Sequence, residues 1–382
     1  MNEVSMLIGG KDCPASGGAI FERIDPVTGG VASRAPAATL ADADAAVEAA
    51  AAAFPAWSAL RPTERGNTVV LKASEACPAV HRMIGSVLHD AGLGDGVINV
   101  VTNAPDDAPA IVERLIAHPT VRRVNFTGST HVGRIIAMHA ARHLKPALLE
   151  LGGEAPVLVL EDADLDAAVD AIAFGAFFNQ GQICMSTERV IAHRSVADAL
   201  VDKLAGKART LVAGAPTAQG AALGAMVSAQ AAQRATALVQ DAREHGAKIL
   251  GGGTLAGAIM QPTIVDGVLP VMKLYAEESF APVVTVLRVD TDDEAVKVAN
   301  DSEFGLSAAV FSRDIARAMS VAKRVESGIF HINGPTVHDE AQMPFGGVKG
   351  SGYGRFGSKA SIAEFTDLRW ITIQTGPRHY PI

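Results

Sequence analysis

A cysteine in a loop of small and polar residues is the first candidate for covalent chemistry. Cys184 follows the run Gln180-Gly181-Gln182-Ile183. A lone cysteine is usually a small buried hydrophobic residue, and Cys13 and Cys77 fit that interpretation. A nucleophilic cysteine must reach its thiolate form, so its pKa has to fall from an ordinary value of about 8.5. The polar loop therefore favours Cys184 as a nucleophile with a lowered pKa.

A glutamate between two leucines is the second candidate. Glu150 lies between Leu149 and Leu151 and precedes Gly152-Gly153. Burying an unpaired acid is costly, and a buried carboxyl has a raised pKa that suits a general base. The alternative is a glutamate on an edge strand in water, and this pattern alone leaves both interpretations open.

A predicted strand-to-helix turn is typical of phosphate binding. The run from Phe126 to Gly133 reads FTGSTHVG. Gly128 lets a ligand approach the backbone, while Ser129 and Thr130 can cap a helix whose N-terminus favours an anion. The alternative is an ordinary turn between a strand and a helix.

A second pattern suits the ribose of a nucleotide. Lys72-Ala73-Ser74-Glu75 follows the first predicted strand. A carboxylate there accepts a hydrogen bond from a ribose 2′-hydroxyl and repels a 2′-phosphate, which favours NAD over NADP. The alternative is a pair of solvated charges at a strand end.

The elements that must position these residues alternate between strand and helix. The first part of the chain predicts strands at 67–71, 97–101 and 121–126 and helices at 78–91, 108–117 and 132–144. The second part predicts strands at 156–160, 189–192 and 283–289 and helices at 165–178, 230–245 and from 295. This alternation predicts an α/β fold with parallel sheets, whose ligands bind at the carboxyl ends of the strands.

The two ends of the chain predict less regular structure. The beginning is expected to be a tail and one helix, which Thr39 caps and which runs to Ala53 and ends at Pro55. The run from Phe365 to Thr372 is rich in β-forming residues and suits a sheet edge or a subunit contact.

Composition and charge exclude several classes of protein. A chain of 382 residues with 48% hydrophobic and 19% charged residues is expected to be globular, with two or more domains. The net charge of −8, without a Lys/Arg cluster, argues against a nucleic-acid partner, and no apolar run is long enough for a bilayer. The eleven histidines lack the spacing of metal ligands. Three cysteines and no signal-peptide pattern predict the cytoplasm.

Five motifs in a fixed order resemble the aldehyde dehydrogenase superfamily. They are FTGSTHVG, LELGG, GQIC, EESFAP at Glu277–Pro282 and PFGGVKGSGYG at Pro344–Gly354, and the resemblance covers nearly the whole chain. The runs NQGQICMSTER, HINGPTVHDE and RWITIQTGPRHYPI are most similar to bacterial salicylaldehyde, vanillin and benzaldehyde dehydrogenases. The resemblance implies NAD-dependent oxidation of an aldehyde, salicylaldehyde-like and aromatic, to its acid.

The resemblance also implies residue roles. Cys184 attacks the aldehyde to form a thiohemiacetal, hydride leaves to NAD to give a thioester, and Glu150 activates the water that releases the acid. The implied cofactor-binding residues are Lys72, Ser74, Glu75, Phe126, Gly128, Ser129, Thr130, Gly133, Leu151, Glu278 and Phe280. No metal is implied.

The resemblance divides the chain into four parts. Residues 66–153 are expected to form a Rossmann-like NAD-binding domain, and residues 154–345 an α/β catalytic domain. Residues 346–382 are expected to return to the fold and contribute to a small oligomerisation element, and residues 1–65 to pack on the cofactor domain. A homo-oligomer, either a dimer or a tetramer, is expected.

Three departures from the family pattern matter. Relatives have roughly a hundred residues between the segments that here abut at Arg65-Gly66, a loss about the size of a small domain. The NAD-binding domain is therefore expected to be incomplete, without its first strand and without an asparagine that helps to hold the oxyanion. Glu154 stands where relatives usually have lysine, and Ala281 replaces a glycine.

Two alternatives to a working dehydrogenase stay open at this point. One is an aldehyde dehydrogenase fold inactivated by the internal deletion, and the other is a non-enzymatic assembly subunit. NADH formation separates a working enzyme from both. Cofactor binding without turnover favours the first alternative over the second.

Overall fold

Five short strands and a helix form the beginning of the chain, where the sequence predicted a tail and a helix. The structure, a computed structural model, describes residues 1–60, 66–215, 218–252 and 255–382, without the side chain of Ser358. Its first elements are β1 Asn2–Glu3, β2 Met6–Ile8, β3 Lys11–Cys13, β4 Ile20–Ile24, β5 Val31–Pro36 and α1 Leu40–Ser58. The prediction of a tail was wrong because strands of two to six residues are too short to show a hydrophobic period.

Helix α1 begins where the sequence predicted and ends later. The Thr39 hydroxyl accepts the Asp42 N–H and the Asp42 carboxylate accepts the Thr39 N–H, which closes a capping box. Pro55 does not end the helix, because it lies exposed at the last turn, where water can satisfy the carbonyl that loses its partner. No helix in the described ranges, α1 included, is long and apolar enough to cross a membrane.

The elements predicted for the cofactor domain are present but do not form one sheet. They are β6 Val69–Lys72, α2 Pro78–Leu88, β7 Ile98–Val101, α3 Ala108–Ala117, β8 Val124–Thr127, α4 Thr130–Arg142 and β9 Ala147–Glu150. β6 pairs in parallel with β7, and antiparallel β2 and β3 extend that sheet beyond β7. β8 pairs in parallel with β9 in a separate sheet. Within the described residues, β6 and β8 each keep one unpaired edge.

The predicted break in the chain lies at the border of what the structure describes. Gly66 is described, whereas Arg65 lies outside the described residues. Strand β6, which has an unpaired edge, therefore begins only a few residues after the predicted break.

A seven-stranded sheet forms the larger part of the molecule. Its region contains β10 Ala155–Val159, α5 Leu165–Phe177, β11 Thr187–His193, α6 Arg194–Thr210, α7 Ala229–Glu244, β12 Lys248–Leu250, β13 Leu255–Ala256, β14 Ile259–Met260, β15 Thr263–Asp266, β16 Val283–Val289, α8 Asp292–Asn300, β17 Ser307–Phe311, α9 Ile315–Ala322 and β18 Ile329–Ile332. The strand order is β12-β15-β16-β11-β10-β17-β18, and every pair is parallel except β12 with β15. Val157, Val190 and Val310 are fully buried, as a sheet covered on both faces requires. The predicted α/β fold is confirmed.

A short strand returns the C-terminal part of the chain to β9. β19 Gly352–Tyr353 pairs antiparallel with β9, which places Gly352 opposite Glu150, and α10 Ser358–Glu364 follows. The predicted β-rich run at 365–372 is not a strand. A strand needs a neighbour for its N–H and C=O groups, and no described strand pairs with this run, so Leu368 and Trp370 remain exposed.

Candidate active site

A tight turn brings Cys184 back towards the end of β9. After α5, Asn179, Gln180 and Gly181 take left-handed backbone conformations with φ of 49°, 59° and 67°. The Cys184 carbonyl then lies so close to Gly153 that a Cβ at position 153 would be 2.0 Å from its oxygen. Glycine is the residue that permits this approach, so the second glycine of the LELGG motif is needed to seat the Cys184 loop.

Glu150 ends β9 beside Cys184. Glu150 is buried rather than solvated, and its Oε1 has no hydrogen-bond partner. Burial raises the pKa of Glu150, although a hydrogen bond with the Cys184 side chain opposes the increase. The structure therefore places the two predicted catalytic side chains in contact.

The pKa of the Cys184 thiol is raised, which is opposite to the lowered value that the sequence predicted. Burial is the main cause, and the Glu150 carboxylate adds to it through its charge and its hydrogen bond. The raised pKa keeps the proton on sulfur in the unliganded site, where a thiolate would lie next to a carboxylate. Glu150 is a base in direct contact with that proton.

Glu278 adds a third carboxyl group to the site. Its Oε1 accepts the Gly153 N–H at 2.8 Å, and burial raises the pKa of Glu278 although this bond opposes the increase. The Glu278 charge also raises the pKa of Cys184. Phe280, two residues on, has φ of 48° and is 39% exposed. Ala281 is buried without a left-handed backbone, so this position does not require the family's glycine.

Glu154, the acid found where lysine was expected, is paired inside the protein. Its Oε2 accepts the Ser302 hydroxyl at 2.8 Å and lies 3.9 Å from Nη1 of Arg189. Burial raises the pKa of Glu154 to about 7, against the opposing charge of Arg189. Arg189 was not singled out from the sequence, because its position in an apolar strand does not reveal its ion-pair partner.

Lys72 and Glu75 form an ion pair at the carboxyl end of β6. The Lys72 ammonium donates to Glu75 Oε1, to which Asn103 Nδ2 also donates at 2.8 Å. Burial alone would raise the pKa of Glu75, but these bonds hold it below its ordinary value. Ser74 accepts the Ala76 N–H and so shapes the turn.

Asn103 was missed by the sequence reasoning. It lies two residues after the end of β7, so its position at the carboxyl end of a neighbouring strand was the available signal. Its Oδ1 is buried without a partner, which leaves an acceptor for a ligand hydroxyl beside Glu75.

The FTGST turn begins α4 as predicted. Ser129 caps the helix by accepting the Val132 N–H at 3.3 Å, and the Thr130 hydroxyl donates to the Gly350 carbonyl at 3.0 Å. Gly128 and Ser129 are exposed, so the start of the helix is accessible to a ligand.

Three of the predicted cofactor residues, Gly133, Leu151 and Phe126, serve packing. Gly133 is buried against Leu151, where an added Cβ would lie 2.4 Å from a Leu151 methyl carbon. Leu151 is itself 4% exposed, so the pair holds α4 against the end of β9. The ring of Phe126 lies against Gly128 in the same way, since a Cβ there would be 2.5 Å from the ring.

The two halves of the predicted cofactor site lie on different sheets. Residues 72–75 follow β6 and residues 128–130 follow β8, and no hydrogen-bonded pairing joins those two strands in the described part of the chain. The structure therefore brings Cys184, Glu150 and Glu278 together, but no continuous sheet holds the two halves of the cofactor site in register.

An aromatic pair that precedes Cys184 in the chain was also missed. The rings of Phe174 and Phe178 stack with centroids 5.1 Å apart, and the residues are 45% and 53% exposed. The spacing of four residues was the signal that the two rings share one face.

Comparison with known proteins finds relatives along the whole chain. A sequence profile described as "Aldehyde dehydrogenase family" matches residues 14–67 and 65–371. The chain is 54% identical to a vanillin dehydrogenase from Pseudomonas sp. (strain HR199 / DSM 7063), with 100% of both chains covered. The resemblance inferred from the five motifs is confirmed.

Solved structures show the same fold. A salicylaldehyde dehydrogenase from Pseudomonas putida G7, complexed with salicylaldehyde, matches with a TM-score of 0.98 and 36% identity over 100% of both chains. An NAD-dependent aldehyde dehydrogenase from Sinorhizobium meliloti matches with a TM-score of 0.94 and 28% identity, over 100% of this chain and 96% of that one.

The alignment with the vanillin dehydrogenase is longer than this chain. It spans 482 positions against 382 residues here, so about 100 of its positions have no counterpart in this chain. The two stretches of the family match meet at residues 65–67, where the sequence analysis placed the break.

Proposed function

Because this chain belongs to the aldehyde dehydrogenase family, we propose that it oxidises an aromatic aldehyde to the carboxylic acid, with NAD as the hydride acceptor. The observation that carries the proposal is the contact between Cys184 and Glu150 in a largely buried site. A thiol nucleophile and an adjacent carboxyl with a raised pKa are the two groups that covalent oxidation of an aldehyde needs.

Cys184 forms the covalent bond to the substrate in this proposal. Its proton passes to Glu150, and the thiolate sulfur attacks the aldehyde carbon, whose oxygen becomes an oxyanion. In this proposal the backbone N–H of Cys184 donates to that oxyanion. Loss of hydride from the adduct leaves a thioester on Cys184, and NAD, when bound, supplies the acceptor for that hydride.

Glu150 then serves a second time. After releasing its first proton to solvent, its carboxylate takes a proton from a water molecule. The resulting hydroxide attacks the thioester carbonyl, so that the C–S bond breaks and the acid is released. The raised pKa of Glu150 suits this role, because a general base works best when its pKa is near the working pH.

The described residues fit NAD better than NADP. Glu75, kept ionised by Lys72 and Asn103, accepts hydrogen bonds from ribose hydroxyls and repels a 2′-phosphate. The exposed start of α4 at Ser129 suits the diphosphate, because the first backbone N–H groups of a helix have no partner in the preceding turn. We assign Glu278 and Phe280 to the nicotinamide end, as the family resemblance implies, and the bond from the Gly153 N–H holds Glu278 beside the Cys184 loop.

Phe174 and Phe178 support an aromatic substrate. Their stacked rings end α5 immediately before the turn that leads to Cys184, and both are partly exposed. Stacking of aromatic rings contributes about 0.5–1.5 kcal/mol beyond the burial of apolar area. Substrates with a ring beside the aldehyde group gain from that surface, and short aliphatic aldehydes do not.

We also propose that the chain lacks an internal segment of the family at residues 65–66. The support is the excess length of the vanillin dehydrogenase alignment together with the unpaired edges of β6 and β8. A strand between β6 and β8 would join the two sheets. The open edges favour a second candidate function, an aldehyde dehydrogenase fold with little turnover.

A cytoplasmic homo-oligomer remains our proposal for the assembled protein. The exposed Leu368 and Trp370 near the C-terminus support a subunit contact there, because exposed apolar runs of this kind mark protein interfaces.

NADH formation tests the proposal directly. We expect salicylaldehyde, vanillin and benzaldehyde to give a higher kcat/KM with NAD than hexanal does, and Cys184→Ala to give no NADH while its circular dichroism stays unchanged. Aldehyde oxidation that survives in Cys184→Ala would contradict the assignment. NAD binding without turnover on any aldehyde would establish the second candidate instead.

A further inference from the structure

A fully buried carboxylate lies behind the turn that contains Glu278. Glu188 is the second residue of β11 and is 5% exposed. Its two oxygens accept the backbone N–H groups of Ser279 at 2.6 Å and Phe280 at 2.9 Å. Glu188 therefore binds the backbone of this turn with both of its carboxylate oxygens.

The turn that Glu188 binds is strained. Phe280 has a φ of 48°, in the left-handed region that a residue with a Cβ rarely adopts. Such a conformation persists when surrounding bonds fix it, and the N–H of Phe280 is one of the two groups that Glu188 accepts. The hydroxyl of Thr285 fixes Glu188 in turn, since it donates to the Glu188 carbonyl at 2.8 Å.

The other end of the turn lies at the reactive thiol. Glu278 accepts the Gly153 N–H at 2.8 Å, and its charge acts on Cys184. Glu188 itself does not contact Cys184 in any described hydrogen bond. The path from Glu188 to the thiol therefore runs through the backbone of residues 279 and 280 and the Glu278 carboxylate.

We propose that Glu188 is a positioning residue that holds the backbone of residues 279 and 280 and thereby keeps Glu278 against Gly153, beside Cys184. The inference deepens the proposed function and rests on it in taking Cys184 as the reacting group. It adds a residue that no motif singled out, because a glutamate at the start of an apolar strand looks like an ordinary strand-end charge.

The pH dependence of Cys184 alkylation by iodoacetamide tests this role without requiring turnover. The groups whose charge acts on Cys184 are Glu150 and Glu278. Glu278→Gln is expected to move the alkylation profile to lower pH by about one unit, the shift that a like charge at close range produces. Glu188→Ala is expected to move it in the same direction, and the double variant no further than Glu278→Gln. Mass spectrometry assigns the label to Cys184.

Two more variants separate positioning from mere stability. Glu188→Gln keeps the side-chain volume and replaces one acceptor with a donor, so it is expected to shift the profile part of the way and to carry the test if Glu188→Ala does not fold. Asp266→Asn is the matched control, a buried carboxylate that bonds Arg288 instead of the turn, and it is expected to leave the profile unchanged.

The outcomes are distinct. If the Glu188 variants melt at a lower temperature but alkylate with the parent's pH profile, or if Glu278→Gln does not shift the profile, the positioning role is wrong. Failure of the parent to oxidise any aldehyde would remove the proposed function, but it would leave the alkylation result for Glu188 intact.

Discussion

Inserting the absent segment between Arg65 and Gly66 should make this chain both more soluble and faster. The segment comprises the roughly 100 aligned positions that the vanillin dehydrogenase has in excess. β6 and β8 are four-residue strands with one unpaired edge each, and a strand directs about half of its N–H and C=O groups to each side, roughly four per edge. Such open edges pair with other chains, so the parent is expected to associate as its concentration rises.

The expected gain in Tm follows from the apolar surface that the segment would cover, and the expected gain in kcat follows from the oxyanion donor that it would supply. Helix α2 exposes Val80, Met83 and Val87 on one face at 55%, 63% and 62%. Covering the exposed part of these three side chains contributes roughly 3–6 kcal/mol, which corresponds to a Tm higher by roughly 3–6 °C in a chain of this size. The family resemblance also places an oxyanion donor in the segment, and restoring one such donor is expected to raise kcat by roughly 10²–10³.

Sedimentation velocity measures association, thermal melting measures Tm, and steady-state NADH formation measures kcat, so the three effects can be observed separately. A chain with a glycine-serine insertion of the same length at residues 65–66 is the matched control, and it is expected to behave like the parent. Equal association, Tm and kcat in the parent and the restored chain would refute the reasoning. So would a linker control that performs as well as the restored chain.

Two further variants test the reacting site and the cofactor site. Glu150→Gln is expected to slow acid release by about 10²–10⁴-fold while a first burst of NADH remains, as stopped-flow absorbance would show, and an equal loss of the burst would mean that Glu150 is not mainly the deacylation base. Because the thiolate fraction grows as pH rises through a raised pKa, Cys184 alkylation in the parent should accelerate with pH. Glu150→Gln removes a charge that raises this pKa, so its profile should move to lower pH. Glu75→Gln is expected to improve kcat/KM for NADP relative to NAD, and equal use of both cofactors by the parent would argue against the role of Glu75.

Much of the fold could be predicted because long elements carry a clear period. The helix Ala108–Ala117 and the strand Val283–Val289 have the predicted bounds, and α1 begins at the predicted cap. The strands of the first 36 residues could not be predicted, because their pairing depends on residues distant in the chain, such as Leu7 with Val100. The run at 365–372 has strand propensity without a described partner, so propensity alone misled the prediction.

The features of the candidate site also divide into those that could be predicted from the sequence and those that could not. Cys184 and Glu150 could be singled out because each is an unusual residue among neighbours of a contrasting type, whereas Glu278 was named only from the family resemblance. The direction of the Cys184 pKa could not, since it depends on which charges the fold places around the thiol, and those charges are carboxylates from separate strands and loops. Glu188 and Arg189 stayed hidden for the same reason, because their partners lie about a hundred residues away along the chain.

Trapping the acyl group on Cys184 tests the central claim most directly. Glu150→Gln, mixed with an excess of salicylaldehyde and NAD, is expected to gain the mass of one salicyl group, located on Cys184 by peptide mapping, with one NADH formed per labelled chain. This single-turnover measurement does not depend on how slowly the chain turns over. NADH formed without an adduct on Cys184, or an adduct on another residue, would contradict the account.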